Sequence, residues 1–591
     1  MGQESTLRYE WNSIPWSKLE RKAFKLQKQI YQASQRNELQ LVRRLQRLLL
    51  NSAYAKLLST RRVTQDNRGK RTAGVDGIII TTSKERMKLA SALRLTGKST
   101  PIRRIWIPKP GKQEKRPLGI PTISERAKQA LAKMALEPEW EAKFEPNSYG
   151  FRPGRSCHDA IEAIYGSIKR KQAYVLDADI AGCFDNIDHS ALLAKLNTGP
   201  KLRRNVKAWL KAGVLDKDTF HPNEKGTPQG GIISPLLANI ALHGMEVDTK
   251  HALRQELFDH MKKTRGKASH LLSARKLSII RYADDFVVIH EDQDIVQKAK
   301  SYISKWLAGV GLELKAEKTR LCHTYRHHQS ETAGFKFLGF NIRQYKSNTN
   351  TLGYSTIIKP SKESLERHLH AIKVKLREHR GEKQETLIRN LNPVIKGWSN
   401  YFRVCSARKT FEKASHQTFE KLWRWIRRKH PHKGRRWVKD KYFLKHRGNN
   451  WRFKTKQGHL LVMHYDFKIR RFVKVAGGVS PYNGDFIYWA SRMGKHPLTS
   501  PRTAMLLKKQ KGKCGQCKLF LNTEDITEVH HKDQNRQNNS PENLLLVHGH
   551  CHDSLHGTKC MYEKHQITEE PDVSKGTSPV LEPSMGSDAH A

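Results

Sequence analysis

Acidic side chains are scarce. Asp and Glu number 56 against 109 Lys and Arg in 591 residues, which leaves a net charge of +53. An excess of that size excludes a self-contained metabolic enzyme as the default and implies a polyanionic partner, above all a long nucleic acid. Long apolar runs are missing as well. No stretch of about 18 apolar residues occurs, so no transmembrane helix is expected. The opening MGQESTLRYEWNSIPW lacks the apolar core of a secretory signal. Cysteine is sparse: four lie far apart (157, 183, 322, 405) and four near the end (514, 517, 551, 560). That spacing excludes a disulfide framework and suits a reducing compartment with a metal site at one end. Hydrophobic residues make up only 37% and aromatics 8%. Those fractions still suffice for packed cores, so the chain is not a disordered basic tail. Its length calls for several domains.

Periodicity supplies the first outline. Leu19, Ala23, Leu26 and Ile30, then Leu39, Val42, Leu45 and Leu48, predict two amphipathic helices over 16–58. RRVTQDNRGKRTAGVDG (61–77) reads as a loop. IRRIWIPKPGKQEKRPLGIPTI (102–123) predicts two strands joined by a turn, with a helix at 124–137. YVLDADI (174–180) is a short strand, and LSIIRYADDFVVIHE (277–291) a hairpin with Asp-Asp at its turn. After about 350 the chain turns helical, basic and Trp-rich. Residues 421–437 alone hold eight Lys or Arg and three Trp. The segment from 561 onward has six acidic and two basic side chains and few apolar ones, and is expected to be a disordered acidic tail.

The carboxylates carry the first chemistry. Asp179 closes one apolar strand, and Asp284 and Asp285 interrupt another. Burying such charges is costly unless a cation compensates them. Three carboxylates on neighbouring strands could hold two divalent ions roughly 3.5–4 Å apart for in-line phosphoryl transfer, with Mg²⁺ the natural choice for oxygen ligands. An acidic turn facing solvent predicts the same apolar flanks, so periodicity alone does not separate the two readings.

The surrounding blocks do. IPKPGKQEKRPLGIPTISER (107–126), NSYGFRPGRSCHDAI (147–161), DADIAGCFDNIDH (177–189), GTPQGGIISPLLANI (226–240), RYADDFVVI (281–289), GLELKAEKTR (311–320) and FKFLGF (335–340) follow one another in order. They resemble the successive blocks of group II intron-encoded reverse transcriptases. The resemblance implies Asp179, Asp284 and Asp285 as Mg²⁺ ligands. It places Phe184 under the incoming sugar, where an aromatic excludes a 2′-hydroxyl. It sets Lys109 and Arg116 on the dNTP triphosphate and Gln229 on its sugar or base, with Gly230 and Gly231 letting the backbone approach the nucleotide. An ordinary turn leading into a strand is the plain alternative for Gln229 and the glycines. Asp185 and Asp188 are explained by a helix N-terminus. KGWSNYF (396–402) is similar to the thumb, or maturase, block of the same family. Its basic side chains would bind phosphates without reading sequence. Trp398, Trp423 and Trp425 would either stack on splayed RNA bases or form thumb core.

At the C-terminal end Cys514 and Cys517 form a CxxC knuckle, followed by EVHHKD (528–533) and PENLLLVHGHCHDSLH (541–556). This segment resembles an HNH endonuclease. The resemblance implies a structural Zn²⁺ on Cys514, Cys517 and Cys551. His548 stands where the family has a fourth Cys, with His550 and Cys560 as substitutes. It implies His531 as general base, His530 and His552 with His556 one helical turn on as ligands of a second divalent ion (Mg²⁺ again), and Asn543 orienting His531 or pinning the loop. A zinc ribbon that binds DNA without cutting it is the plain alternative.

The expected fold is multidomain α/β: right-hand reverse transcriptase fingers and palm, an α-helical thumb, and a small ββα-metal HNH unit. The expected segments are an N-terminal helical RNA-binding extension at 1–75, fingers and palm at 76–350 and thumb/maturase at 351–430. A basic DNA-binding region at 431–504, the HNH unit at 505–560 and the tail at 561–591 follow. The resemblance implies partners in group II intron RNA, target DNA and dNTPs, no membrane, and a bacterial cytoplasm or an organelle. An RNA-binding splicing cofactor with dead enzymes, and a DNA endonuclease with a degenerate polymerase, are the alternatives that the intact carboxylates oppose.

Overall fold

A computed structural model describes residues 10–108, 115–217, 219–264, 276–523 and 525–556. Lys109, Cys560 and the acidic tail lie outside these residues.

Three helices open the chain, Trp16–Gln35, Leu39–Asn51 and Ala53–Arg61, where periodicity predicts two. Ser52 makes the difference. Its backbone is extended, and its hydroxyl accepts from the Ala55 amide at 3.4 Å, which starts a new helix. The expected loop after Arg61 contains two short helical turns, Arg62–Asp66 and Arg68–Arg71. Ile30, Val42 and Leu49 of these helices share a core with Leu131 and Leu136 of the Ile123–Glu141 helix.

Strands β1 (Ile102–Pro108) and β2 (Lys115–Ile120) form the basic hairpin. β3 (Tyr174–Asp179) lies in the palm. β4 (Val214–Asp216) and β5 (Thr219–His221) extend the hairpin sheet in the order β2-β1-β4-β5. β6 (Ser278–Tyr282), β7 (Asp285–His290) and β8 (Arg320–His323) complete an antiparallel palm sheet ordered β6-β7-β3-β8. Both palm faces are covered. Leu176, Ala178, Phe286 and Val288 face the first core, while Val175, Val287 and Ile289 face a second one. Double burial explains why these strands read as continuous apolar runs rather than alternating ones.

β9 (Phe335–Phe337), β10 (Phe340–Lys346) and β11 (Tyr354–Pro360) form a second antiparallel sheet. The helices Lys362–Glu378, Gln384–Phe402 and Arg408–Lys429 follow. Ile372, Leu387, Leu391, Ile395, Leu422 and Ile426 give them a separate core. The expected DNA-binding region is not a free unit. Its first part, the Arg435–Tyr442 helix and the hairpin of β12 (Phe443–His446) and β13 (Asn449–Phe453), completes the thumb core through Val438, Phe443 and Phe453. The rest runs back over the palm as a strap. The Tyr482 hydroxyl donates to Glu137 at 2.8 Å and the Tyr31 hydroxyl to Gly478 O at 3.2 Å. Buried Asp159 accepts from the Val475 amide at 2.7 Å and pairs with Arg492.

The chain closes with helices Phe486–Lys495 and Pro501–Lys509, then β14 (Thr527–His531), β15 (Leu544–His548) and the Gly549–His556 helix. Its own core is small: Leu506, Leu507, Leu521, Leu544, Leu546 and Val547. This ββα unit docks on the N-terminal helices. Arg61 pairs with Asp553 at 2.9 Å and His550 with Glu20 at 3.1 Å, and the Phe24, Phe486 and Phe520 rings stack in succession.

Candidate active site and metal centres

In the palm, antiparallel register sets Asp285 at the start of β7 directly opposite Asp179 at the end of β3. Asp284 sits in the turn before β7. That turn is tight: Ala283 has a φ of 57°. It is also held from outside. The backbone of 147–149 bridges Arg281, and a Cβ on Gly150 would come within 2.3 Å of the Ala283 amide nitrogen. Buried Arg281 donates to Asn239 Oδ1 and to Ala283 O, both at 3.1 Å. Arg281, Asn239 and Gly150 therefore shape the site, although the sequence gave no sign of these roles beyond their place in the quoted blocks.

The buried carboxylates hold their protons more tightly than carboxyls in water do. Burial, then the charge of Asp179, pushes the Asp284 carboxyl up to about 6. Burial, then the charges of Asp284, Asp179 and Asp177, holds Asp285 well above the usual range. Asp177 shares the Asp179 face of β3 and is pushed to about 7, chiefly by burial. Lys318 Nζ stands 3.1 Å from Asp179 Oδ2, while Asp179 Oδ1 is buried without a hydrogen-bond partner. Among the described residues the three aspartates do not close into a group with all donor atoms within 4.8 Å. The all-oxygen donor set, the orphaned oxygen and the shared excess of negative charge fit a hard divalent cation such as Mg²⁺.

The nucleotide-side residues are brought to the same end of the palm. Half-buried Phe184 packs its ring edge-on against Phe151, with 5.9 Å between centroids. Gln229 Nε2 lies 3.3 and 3.4 Å from the Asp185 carboxylate oxygens. Asp185 also feels Arg104 and Arg116 from the hairpin, so a helix N-terminus does not exhaust its role. Asp188 does cap its helix, accepting from the Ala191 amide at 2.7 Å. Gly230, at a φ of 115°, is pressed against the hairpin. A Cβ there would stand 2.2 Å from Gly119 O, because Gly119 donates to Gln229 O at 2.6 Å. Gly231 instead packs beside Ser234 and Gln129.

In the thumb, Trp425 is buried and donates to His379 O at 2.9 Å. Trp398 stacks on His368 at 4.5 Å and packs against the second core. Both are packing residues. Trp423 is only partly covered.

The ββα unit brings together two donor clusters. Cys514, Cys517, His548 and Cys551 present atoms all within 4.8 Å of one another. His548 Nδ1 is 3.4 Å from Cys517 Sγ and 3.9 Å from Cys551 Sγ, and its Nε2 is 3.4 Å from Asp525 Oδ2. A carboxylate behind a ligating imidazole is a familiar outer support of zinc sites. The donor set and that carboxylate fit tetrahedral Zn²⁺. His550 turns its Nδ1 to Glu20 and stacks on His548, beside the four-residue cluster.

The second cluster is His530, His552 and His556. His530 Nδ1 and His556 Nε2 are 3.2 Å apart, and Glu528 supports His552 at 2.8 Å. Burial, then the neighbouring imidazoles, lowers the His530 pKa, which keeps its ring neutral and able to ligate. Three imidazoles suit a first-row transition ion better than the expected Mg²⁺, which prefers oxygen. His531, next along the strand, is 3.4 Å from Asn539 Oδ1. Asn543 does not touch it. Its amide donates at 2.8 Å to both Asp533 Oδ1 and Asn538 O, pinning the loop that carries Asn539.

A palm sheet with paired carboxylates, covered by a basic hairpin and followed by a helical thumb, has the form of a template-directed polymerase. Comparison with known proteins narrows the class. Residues 107–342 match reverse transcriptase (RNA-dependent DNA polymerase), 11–93 match the N-terminal domain of reverse transcriptase, and 365–443 match the group II intron maturase-specific domain. The group II intron-encoded protein LtrA of Lactococcus lactis subsp. cremoris is 34% identical over 372 residues, covering 54% of this chain and 59% of LtrA. Protein YkfC of Escherichia coli K12 is 30% identical over 334 residues, covering 52% of this chain and 84% of YkfC. Maturase-like protein 1 of Euglena gracilis is 26% identical over 416 residues, covering 67% and 78%. The chain belongs to the group II intron reverse transcriptase and maturase family. It spans little more than half the length of LtrA. Among the described residues no helix is long and apolar enough to cross a membrane.

Proposed function

We propose that this chain is an RNA-directed DNA polymerase and splicing maturase that remains bound to its intron RNA, and that its ββα unit nicks a DNA target. The nick would free a 3′-hydroxyl that primes cDNA synthesis on the intron. The observation that carries this reading is the convergence of Asp179, Asp284 and Asp285 at one end of a doubly covered sheet, beside the basic hairpin. Divalent ions held there would supply positive charge to the primer hydroxyl and the departing pyrophosphate. Arg116, with Lys109, would grip the triphosphate. Phe184 would close the space a 2′-hydroxyl needs, and Gln229, held by Asp185, would orient the sugar. In the nuclease, His531 would take the proton of the attacking water while Asn543 and Asn539 fix its loop. The helices of 1–75 and 351–430 would grip intron RNA in a bacterial cytoplasm or an organelle. The basic stretch of 431–504 would carry target DNA along the strap.

Primer extension on an RNA template with Mg²⁺ tests the polymerase. Asp284→Ala is expected to abolish dNTP incorporation, and unchanged incorporation overturns the assignment. His531→Ala is expected to abolish second-strand nicking while a supplied primer is still extended. Retained nicking would remove His531 from the mechanism.

A further inference from the structure

At the tip of the thumb, aromatic rings and cations share one open surface. The β12–β13 hairpin folds against the Arg408–Lys429 helix, and four rings meet there. Trp451 of β13 lies 5.8 Å from Phe443, 5.9 Å from Phe419 and 6.2 Å from Trp423. Phe443 is buried, yet Trp451 remains 50% exposed, and Phe419 and Trp423 are only partly covered. With Arg435, Arg436 and Lys439 these three rings line an open cleft of about 560 Å³. No carboxylate lines it. Lys439 is shared with Asp440 at 3.1 Å, and among the described residues neither arginine has an acidic partner.

The chemistry selects the occupant. Core packing would have covered the indoles, since leaving apolar surface in water forfeits its transfer free energy. An apolar peptide side chain would satisfy the rings and leave three cations facing nothing. The fitting ligand joins a flat apolar face to an anion a few bonds away, which describes a nucleotide. It must also be unpaired, because bases within a duplex offer no face for stacking.

We propose that this cleft captures one unpaired nucleotide of a nucleic-acid strand, its base against Trp451 and Trp423 and its phosphate on Arg435, Arg436 and Lys439. The inference rests on the reading that the chain handles nucleic acid, and on neither enzymatic activity. An RNA loop and a DNA single strand share this chemistry.

The test uses the full chain with short single strands of RNA and of DNA, each carrying one 5-iodopyrimidine, and with a duplex of equal length. Irradiation is expected to cross-link the single strands to Trp451 or Trp423, and the duplex to neither. Trp451→Ala is expected to weaken single-strand binding about tenfold and Trp451→Phe to keep most of it. Arg435→Gln with Arg436→Gln should lower the salt slope by about two. Trp451 is half-exposed, so an unchanged melting temperature is expected and serves as the folding control. The RNA and DNA arms identify the source by their relative affinity. Equal binding by well-folded Trp451→Ala, cross-links confined to other residues, or equal capture of the duplex each overturn the proposal. Absent primer extension in the parent, with the cross-link present, would defeat the polymerase reading and leave the cleft standing.

Discussion

Between about pH 4 and 6, Asp284 keeps a proton in the folded chain that it loses in the unfolded one. Its folded pKa is about 6, against ~3.9 for an ordinary Asp. A raised acid pKa means the native state binds more protons, so stability falls as pH climbs from about 4 through 6. The Asp284 carboxylate thus weakens the metal-free protein at neutral pH by on the order of 3 kcal/mol. Asp284→Asn should therefore raise the melting temperature in a chelator at pH 8, the gain should shrink toward pH 4, and polymerisation should be lost. Thermal scans at the two pH values check this, and a variant less stable at pH 8 would contradict the charge argument. At this scale the order of the sequence blocks pointed to the candidate site residues. It did not show that Gln229 rests on Asp185, that Gly230 serves the hairpin, or that Lys318 faces Asp179, because these contacts join segments far apart in the chain.

At the scale of elements, the strap is the decisive feature. Asp159 is wholly buried and accepts from the Ser156 amide and hydroxyl, each at 2.9 Å, from the Val475 amide, and from Arg492. Removing one partner of a buried pair typically costs about 3–5 kcal/mol. Asp159→Ala should lower the melting temperature and open residues 464–489 to proteolysis before the palm, as mass spectrometry of the first fragments would reveal. An unchanged cleavage pattern would mean the strap is held elsewhere. Periodicity found the palm strands, the hairpin and most helices. It missed the break at Ser52, where one capping hydroxyl divides a continuous apolar stripe. It also missed the strap, whose irregular backbone carries no period and whose partner Asp159 lies 316 residues away.

Across the whole molecule, charge and metal divide the labour. Affinity for intron RNA should fall about 10³- to 10⁵-fold between 50 and 200 mM salt if six to ten phosphates are neutralised. Filter binding measures this, and a flat response would mean the +53 charge is spent elsewhere. Zinc should matter only at one end. Structural Zn²⁺ is worth about 10–16 kcal/mol in small zinc units, and the core of the ββα unit is a handful of aliphatic side chains. Stripping zinc with phenanthroline and restoring Mg²⁺ should abolish nicking and expose 505–556 to protease, while primer extension survives. Nicking that persists without zinc would show that the apolar core suffices.

The sequence by itself determined the polyanionic partner, the order of the polymerase blocks, the strands that end in aspartate, and the Cys and His residues of the two C-terminal clusters. These are local properties of composition, spacing and period. Only the tertiary structure put His548 in one cluster with the three thiols and paired His550 with Glu20 of the first helix. It alone docked the ββα unit on Arg61 and tied the basic region down as a strap, and it left Trp451 open beside three cations. Each of these outcomes depends on which distant surface a side chain meets, and that is set by packing rather than by neighbours in sequence.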